Sequence, residues 1–417
     1  MNIKGLLLGS AAALVAVSGA RAADAVVIAE PEPMEYVRIC DTYGAGFYYI
    51  PGTETCLKFS GYMRYLVGVG SAGNEDVIDK SDFYDLLAAE AAGEDPDIDD
   101  YLDTNDTYSK TARFQLRVDA RQETELGTLR AYAAVNFNYS TGTDGISVLG
   151  VNVDPSDFTG GIYGVTTSSD NVAIEHAYIE LGGFRAGKTD TLFNTFTGFA
   201  GNVYNDEIGV DYGPGGTHQL SYTFTGGNGF SAAIALETGT GYGGFIPASL
   251  LPNPAIAAIV NSVVQADLYA IDSYVPNVVG GIGYTAGWGS VTGVAAYDSV
   301  WETWAGKVRA DFNATEALSL WVMGGLKDDE DVFNYYAPWS GSWAVWGGGS
   351  FAFNEKAAFN LQVGYDDGQN FGVAANIDYT LVNNFVITPE VNYSDNFDAD
   401  DADAWGGWLK LQYNWGS

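Results

Sequence analysis

Basic residues are scarce in this chain of 417 residues. It carries 18 Lys and Arg side chains against 53 Asp and Glu, which gives a formal net charge of −35 at pH 7. A surface of that sign repels nucleic acid, and it repels anionic lipid head groups unless divalent cations bridge the two. The composition therefore argues against nucleic acid as a partner.

Long apolar runs are also missing, except near the first residue. Lys4 precedes an apolar stretch over residues 6–17, and Ala20-Arg21-Ala22 forms a small-x-small cleavage site. The stretch is shorter than the roughly 20 apolar residues that a transmembrane helix needs. The pattern predicts a secretory signal peptide over residues 1–22. We expect an N-terminal segment over residues 23–54 to follow, and then one large domain over residues 55–417.

Cysteine and histidine are nearly absent. In an exported chain, Cys40 and Cys56 are most simply a disulfide that closes a small loop. A metal pair is the alternative, but no histidine or further cysteine lies nearby in the sequence. His176 and His218 have no serine and orienting carboxylate at a spacing that proposes a triad, so we expect no catalytic residue.

What the chain does contain suits β-structure. It has 53 glycines, 14% aromatic residues and only 17% charged residues. In "TARFQLRVDAR", residues 111–121, apolar side chains fill the even positions from Phe114 to Ala120, and polar ones fill the odd positions from Arg113 to Arg121. A period of two predicts a strand. The next run, "TLRAYAAVNFNYS", repeats it, and the short link between them predicts an antiparallel hairpin.

Alternating runs continue along the chain and number about sixteen by our count. The links between them are short and long in turn, and the long ones are acidic or rich in glycine. This is the pattern of an all-β, sixteen-stranded antiparallel transmembrane barrel with short periplasmic turns and long extracellular loops. Alternation alone also fits a soluble sandwich. The barrel is favoured by aromatic residues near strand ends, which resemble interfacial girdles: Tyr65, Tyr139, Trp288, Trp301, Trp304, Trp343, Trp346, Trp405 and Trp415.

Two stretches resemble a known family. Residues 35–65, "EYVRICDTYGAGFYYIPGTETCLKFSGYMRY", look like the N-terminal signature of the alphaproteobacterial outer-membrane porins, and residues 175–193, "EHAYIELGGFRAGKTDTLF", resemble the segment before their third loop. The resemblance implies a trimeric barrel in the outer membrane of a Gram-negative bacterium, inserted by the barrel-assembly machinery. It also implies that the third long loop, residues 190–216, folds inward and narrows the lumen. The Cys40–Cys56 loop is then expected on the periplasmic side.

Polar strand faces would line such a lumen, and their charges predict a constriction. Facing rows of opposite charge in a narrow channel set up a transverse field that favours dipolar solutes. Alternatively, the basic residues solvate a polar lumen or pair locally with Asp119. Lys188 falls on the lipid face by strict alternation, unless Gly187 hosts a bulge that turns it inward. The predicted basic wall is Lys58, Arg64, Arg113, Arg117, Arg130 and Lys188, and the predicted acidic loop residues are Asp190, Asp206, Glu207 and Asp211.

The function expected from the resemblance is passive diffusion of small hydrophilic solutes and ions, with no covalent chemistry and no cofactor. The alternatives are a solute-specific channel, an outer-membrane enzyme and a secreted acidic adhesin. Carboxylate-rich stretches at residues 94–106 and 395–404 are either solvated loops or weak Ca²⁺ or Mg²⁺ sites, which would bridge to lipopolysaccharide. The net charge favours mild cation selectivity.

Overall fold

A computed structural model describes residues 38–93, 104–147, 162–240, 268–400 and 402–416. Residues from Ile39 onward form one compact unit. The signal peptide expected over residues 1–22 lies outside the described residues and stays a prediction, as do residues 23–37 of the expected N-terminal segment. No helix in the described ranges is long and apolar enough to cross a membrane.

Sixteen long strands form a closed antiparallel barrel, as the sequence predicts. Each pairs with the next along the chain, and the last pairs with the first, with Trp415 opposite Gly61. In chain order the barrel strands are β2 (Cys56–Gly70), β5 (Ser109–Thr124), β6 (Gly127–Ser147), β7 (Ile162–Leu181), β8 (Phe184–Asp190), β9 (Gly216–Thr225), β10 (Phe230–Thr238), β11 (Asn277–Ala286), β12 (Gly289–Asp298), β13 (Thr303–Asn313), β14 (Leu318–Lys327), β15 (Trp343–Asn354), β16 (Ala357–Asp366), β17 (Asn370–Val382), β18 (Phe385–Asn396) and β19 (Ala404–Trp415).

The described residues also contain elements outside the barrel wall. A 3-10 turn, Asp41–Tyr43, and strand β1, Tyr48–Tyr49, precede the barrel, and β1 pairs with the start of β2. The first long loop contains β3 (Asn74–Ile78), helix α1 (Lys80–Ala91) and β4 (Thr104–Thr107). β3 pairs with β4 and also bridges β7 between Val77 and Gly164, which ties this loop to another part of the wall.

The two faces of the wall differ in polarity. Large apolar side chains such as Phe114, Val308 and Leu326 are exposed on the outside, whereas Gln115, Asn136 and Gln362 are buried on the inside. A soluble sandwich would have the opposite arrangement, so the structure excludes that alternative. A lipid environment explains it, because only there does an exposed apolar belt cost nothing.

Several of the predicted girdle aromatics fit the outer face, but Trp346 does not. Tyr65, Tyr139, Trp304 and Trp405 are exposed there. Trp346 is 2% exposed and lies on the lumen face of β15, so its assignment to the girdle was wrong. Alternation gives the reason, since its neighbour Val345 is the outward residue of that pair.

The largest buried apolar cluster lies inside the barrel, where the loop that we call L3, residues 191–215, packs on the wall. It includes Phe193, Val210 and Tyr212 of the loop and Met323 and Trp346 of the wall. L3 begins with a short helix, α2 (Leu192–Thr195). The third long link of the barrel therefore folds inward, as the resemblance implies, and it forms the interior core.

Candidate functional site: the lumen and its inward-folded loop

L3 is fixed at its base by Glu237 of β10. This carboxylate is 1% exposed. It accepts hydrogen bonds from Thr191 Oγ1 at 2.6 Å, Leu192 N at 2.7 Å, Gln219 Nε2 at 2.8 Å and Tyr336 OH at 3.0 Å. Burying a carboxylate is costly unless its oxygens are satisfied, and these four donors satisfy them. The same contacts set the direction in which the loop enters the lumen.

A buried lysine then joins the outgoing and returning arms of L3. Lys307 Nζ, on β13, donates to Asn194 Oδ1 at 2.5 Å and to Tyr212 O at 2.8 Å. It also lies 4.4 Å from the ring centroid of Phe193, whose ring packs 5.3 Å from that of Tyr336. Because the amine contacts both arms, it holds the loop as a closed hairpin against the wall.

The tip of L3 is held by the far wall. Glu390 of β18 accepts hydrogen bonds from the backbone N–H groups of Tyr204 and Asn205, the second at 2.8 Å. Gln362 of β16 donates to the carbonyl of Asp206. The loop therefore spans the lumen from the end of β8 to β18.

Three predicted acids lie on this loop. Asp206 accepts a hydrogen bond from Tyr212 OH at 2.6 Å, and Asp211 accepts one from Gly213 N at 2.9 Å. Glu207 is exposed to the lumen, but partial loss of hydration there, with added repulsion from the carboxylates of Asp211 and Asp206, raises its pKa to about 7. Burial raises the pKa of Asp211 to about 6. The negative charge of L3 therefore depends on pH near neutrality.

Asp190 is separate from those acids. It ends β8, and its carboxylate lies 4.0 Å from Nε2 of His176. His176 Nδ1 is in turn 3.3 Å from Thr189 Oγ1. The structure therefore places Asp190 at the base of L3 rather than at its tip.

The structure brings three of the predicted wall residues together. Arg64 lies directly opposite Arg113 across the β2–β5 pair, and Arg117 lies on the same face of β5. The guanidinium carbon of Arg64 lies 4.6 Å from the ring centroid of Tyr62 and 5.6 Å from that of Tyr204 on L3. This part of the wall, which we call the arginine face, therefore borders the tip of L3.

Arg130 lies nearer the short-turn end, in a chain of ion pairs. Asp119 binds both Arg121 at 2.8 Å and Arg130 at 2.9 Å, and Arg130 continues to Glu180 at 2.8 Å. Glu180 also binds Arg185 at 2.7 Å. Local pairing with Asp119, the alternative weighed from the sequence, is thus the arrangement found for Arg130.

Lys58 belongs to the contact between the wall and the disulfide loop. Cys40 and Cys56 are bonded to each other. Lys58 Nζ donates to Ala45 O at 3.1 Å, and Phe47 of the loop lies 5.0 Å from the guanidinium carbon of Arg121. The disulfide loop therefore packs on the lumen wall at the short-turn end.

Lys188 lies on the outer face. The pairing of β8 with both neighbours is continuous through Gly187, so the bulge considered from the sequence is absent from this strand. Lys188 pairs with Ala177 and His218 and shares the outward face with exposed Leu220. Its Nζ donates to Ile174 O at 2.5 Å.

Sequence reasoning missed the residues that hold L3. Glu237, Lys307 and Glu390 all fall on inward positions of alternating strands, so alternation could have placed them in the lumen. Their contacts with L3 join residues up to 186 positions apart, and no local pattern encodes that pairing. Within the described residues, no group of three or more His, Cys, Asp or Glu side chains could hold a metal ion.

A closed barrel with a lipid-facing apolar exterior, a polar lumen and a loop folded across that lumen defines the class of outer-membrane channels. Sequence comparison then gives the family. The model of the Porin subfamily matches residues 24–413, so the chain belongs to that family.

Comparison with individual proteins supports the same family. The chain is 45% identical over 418 residues to porin Omp2b of Brucella suis biovar 1 (strain 1330) and 46% identical to porin Omp2b of Brucella canis (strain ATCC 23365 / NCTC 10854 / RM-666), with 99% of each chain covered in both comparisons. The outer membrane channel DcaP of Acinetobacter baumannii shares the fold, with a TM-score of 0.56 at 15% identity over 88% of this chain and 99% of that one. The protein is an outer-membrane porin of a Gram-negative bacterium, a channel for passive diffusion.

Proposed function

We propose that solutes are selected where the arginine face meets the tip of L3. Arg64, Arg113 and Arg117 supply positive charge from the wall, and Asp206, Glu207 and Asp211 supply negative charge from the loop. Charges of opposite sign on two sides of a narrow aqueous passage order water and dipolar solutes, and they penalise apolar ones. The observation that carries the proposal is the 5.6 Å contact between Arg64 and Tyr204, because it brings the wall and the loop tip to one level of the channel.

The other predicted residues take different parts in this proposal. Lys58 and Arg130 supply charge on the same wall near the periplasmic mouth, where each is already bonded to protein groups. Asp190 shapes the base of L3. Lys188 is left out of the constriction because it lies on the outer face.

The test is single-channel recording of the refolded protein in a planar lipid bilayer under a KCl gradient. We expect stable conductance, and a zero-current potential that moves toward cation preference in Arg64→Gln and toward anion preference in Glu207→Gln. Arg185→Gln is the matched control, since Arg185 is ion-paired away from the loop tip. Equal potentials in all four proteins would contradict a constriction at this level.

We also propose that the protein works as a homotrimer. The support is the outer face at Lys188 and exposed His218, paired side by side. A lysine that faces lipid near the bilayer midplane costs about 2–4 kcal/mol, and a neighbouring barrel would cover it. SDS-resistant, heat-modifiable trimers in electrophoresis, and closure in three equal voltage-driven steps, are the expected results. A purely monomeric species with full conductance would contradict the trimer.

The remaining proposed partners follow from the location of the protein in the outer membrane. Barrel-assembly machinery would insert the chain, and Ca²⁺ or Mg²⁺ would bridge its acidic loops to lipopolysaccharide. The pore itself would need no cofactor and carry out no covalent chemistry. A chelator should then weaken adhesion to lipopolysaccharide while leaving conductance in lipid bilayers unchanged, and a loss of conductance would contradict this division.

A further inference from the structure

The three arginines of the arginine face are held in the same way. Each uses its Nε to donate to a neutral amide oxygen: Arg64 to Gln412 Oε1 at 2.7 Å, Arg113 to Asn138 Oδ1 at 2.6 Å and Arg117 to Gln115 Oε1 at 2.5 Å. None of the six ion pairs in the described part of the chain includes any of them. In those same ranges, no hydrogen bond uses their terminal Nη groups.

The pairing of two like charges sharpens this observation. Arg64 and Arg113 are direct cross-strand neighbours, and such neighbours have Cβ atoms about 4.5–5.5 Å apart. Like charges at that distance destabilise a sheet. Elsewhere on the same wall the chain neutralises the equivalent pair, because Arg121 lies directly opposite Arg130 and both bind Asp119. No carboxylate of the described residues does this for Arg64 and Arg113.

The surroundings suit one kind of ligand. A guanidinium anchored through Nε presents its Nη groups as a planar donor fork, the geometry that carboxylates accept from two parallel N–H groups. The ring centroid of Tyr62 lies 4.6 Å from the guanidinium carbon of Arg64 and 5.7 Å from that of Arg117, and the ring of Tyr204 on L3 also lies near Arg64. Their rings offer apolar surface to a short carbon chain.

We infer that Arg64 and Arg113, with Arg117 beside them, form a binding site for small organic carboxylates that pass through the pore. This inference rests on the proposed constriction and names the solute class that pauses there. This site is compatible with an overall preference for cations. The acidic loops would favour cations along most of the channel, whereas the arginines would lower the free energy of an anion at this one level.

The experiment uses succinate as the probe and measures its saturable block of the KCl current through single channels. In Arg64→Gln/Arg113→Gln, the apparent dissociation constant should rise about tenfold or more, the factor expected from losing one charge-assisted hydrogen bond. Arg185→Gln removes a lumen arginine outside the site and should change the constant by less than about twofold. Unchanged block in the double variant would overturn the inference.

Two further experiments distinguish the effect of charge from that of guanidinium geometry, and carboxylate from phosphate. Arg113→Lys keeps the charge but loses the fork, so it should weaken succinate block while leaving the zero-current potential near that of the parent protein. Full succinate block in Arg113→Lys would contradict the claim that the site needs the planar donor fork of arginine. Inorganic phosphate at equal ionic strength should block less than succinate, and stronger block by phosphate would overturn the assignment to carboxylates.

A binding measurement separates this inference from the proposed channel function. Calorimetric titration of the detergent-solubilised protein with succinate detects the site without any conductance. Heat of binding that disappears in the double variant would support the site, even in preparations that show no KCl current. The missing current would contradict only the proposed constriction. Normal KCl current without succinate binding would refute the site alone.

Discussion

Replacement of Glu390 by alanine should loosen the tip of L3 while leaving the barrel intact, although Gln362 still donates to the carbonyl of Asp206. The carboxylate is 3% exposed. It accepts from the N–H groups of Tyr204 and Asn205 and from Asn376 Nδ2 at 2.9 Å. Two of these bonds come from the loop, and the third stays within the wall, because Asn376 lies on β17. A hydrogen bond to a charged group contributes about 1.5–3 kcal/mol, so the two bonds from the loop hold the tip by about 3–6 kcal/mol.

The rest of the loop keeps its own contacts in this variant. Trp346 Nε1 still donates to Val210 O at 2.9 Å, and Glu237 still holds the base. We therefore expect motion of the tip alone, seen in single-channel records as a larger mean conductance and greater open-state current noise. The thermal unfolding of the barrel should change little, because the strand pairing of β18 is untouched.

Asp378→Ala provides the matched control for Glu390→Ala. Asp378 is another lumen carboxylate, but its bonds go to the wall residues Thr388 and Asn360 rather than to L3. It should alter selectivity without adding noise. Quiet, parent-like currents in Glu390→Ala would refute the argument that this carboxylate anchors the tip, and so would equal noise in both variants.

Three other perturbations test separate parts of the structure. Lowering the pH from about 8 to about 5 takes Glu207 and Asp211 through their raised pKa values of about 7 and about 6, so L3 loses negative charge and the zero-current potential should move toward anions. Glu207→Gln should abolish the upper part of that change, and a flat profile would contradict it. Because both pKa values are raised by the folded state, these two groups oppose folding at high pH and cease to do so as pH falls. Cys40→Ser/Cys56→Ser should lower the free energy of unfolding by roughly 3 kcal/mol for a loop of this size. It should also break the contact of Phe47 with Arg121, which would raise the protease sensitivity of the N-terminal segment, and unchanged sensitivity would count against that packing. Gly209→Ala should displace L3 from β17, since Gly209 has a φ of +69° and an added Cβ would lie 2.4 Å from Phe371 O; conductance equal to that of the parent would contradict this contact.

The wall could be predicted from the sequence because each strand carries its own information. Alternation from Phe114 to Ala120 places Arg113 and Arg117 inside without any knowledge of the neighbouring strand. Trp346 shows what goes wrong when alternation is set aside: its position near a strand end suggested a girdle, whereas its parity places it in the lumen. Lys188 shows the reverse case, in which strict parity was right and the suggested bulge at Gly187 was not.

The site was harder to predict because its contacts are long-range. That L3 folds inward came from a family resemblance, and the side chains that hold it came only from the structure. Glu390 is separated from Tyr204 by 186 residues, and Lys307 from Asn194 by 113. Such contacts depend on barrel closure, which fixes where β13 and β18 stand relative to β8, and closure has no signature within a single strand.

The electric field in the pore depends more on which charged side chains are ion-paired than on the formal charge of the chain. The total of −35 includes carboxylates that are bonded to donors within the protein, such as Glu237 and Glu390. On the wall, Arg121, Arg130 and Arg185 share Asp119 and Glu180, whereas Arg64, Arg113 and Arg117 share no carboxylate of the described residues. A permeating ion responds to unpaired charge over roughly a Debye length of about 8 Å. The arginine face and the titrating acids of L3 should therefore control selectivity, and substitutions in the neutralised part of the wall should affect stability more than selectivity.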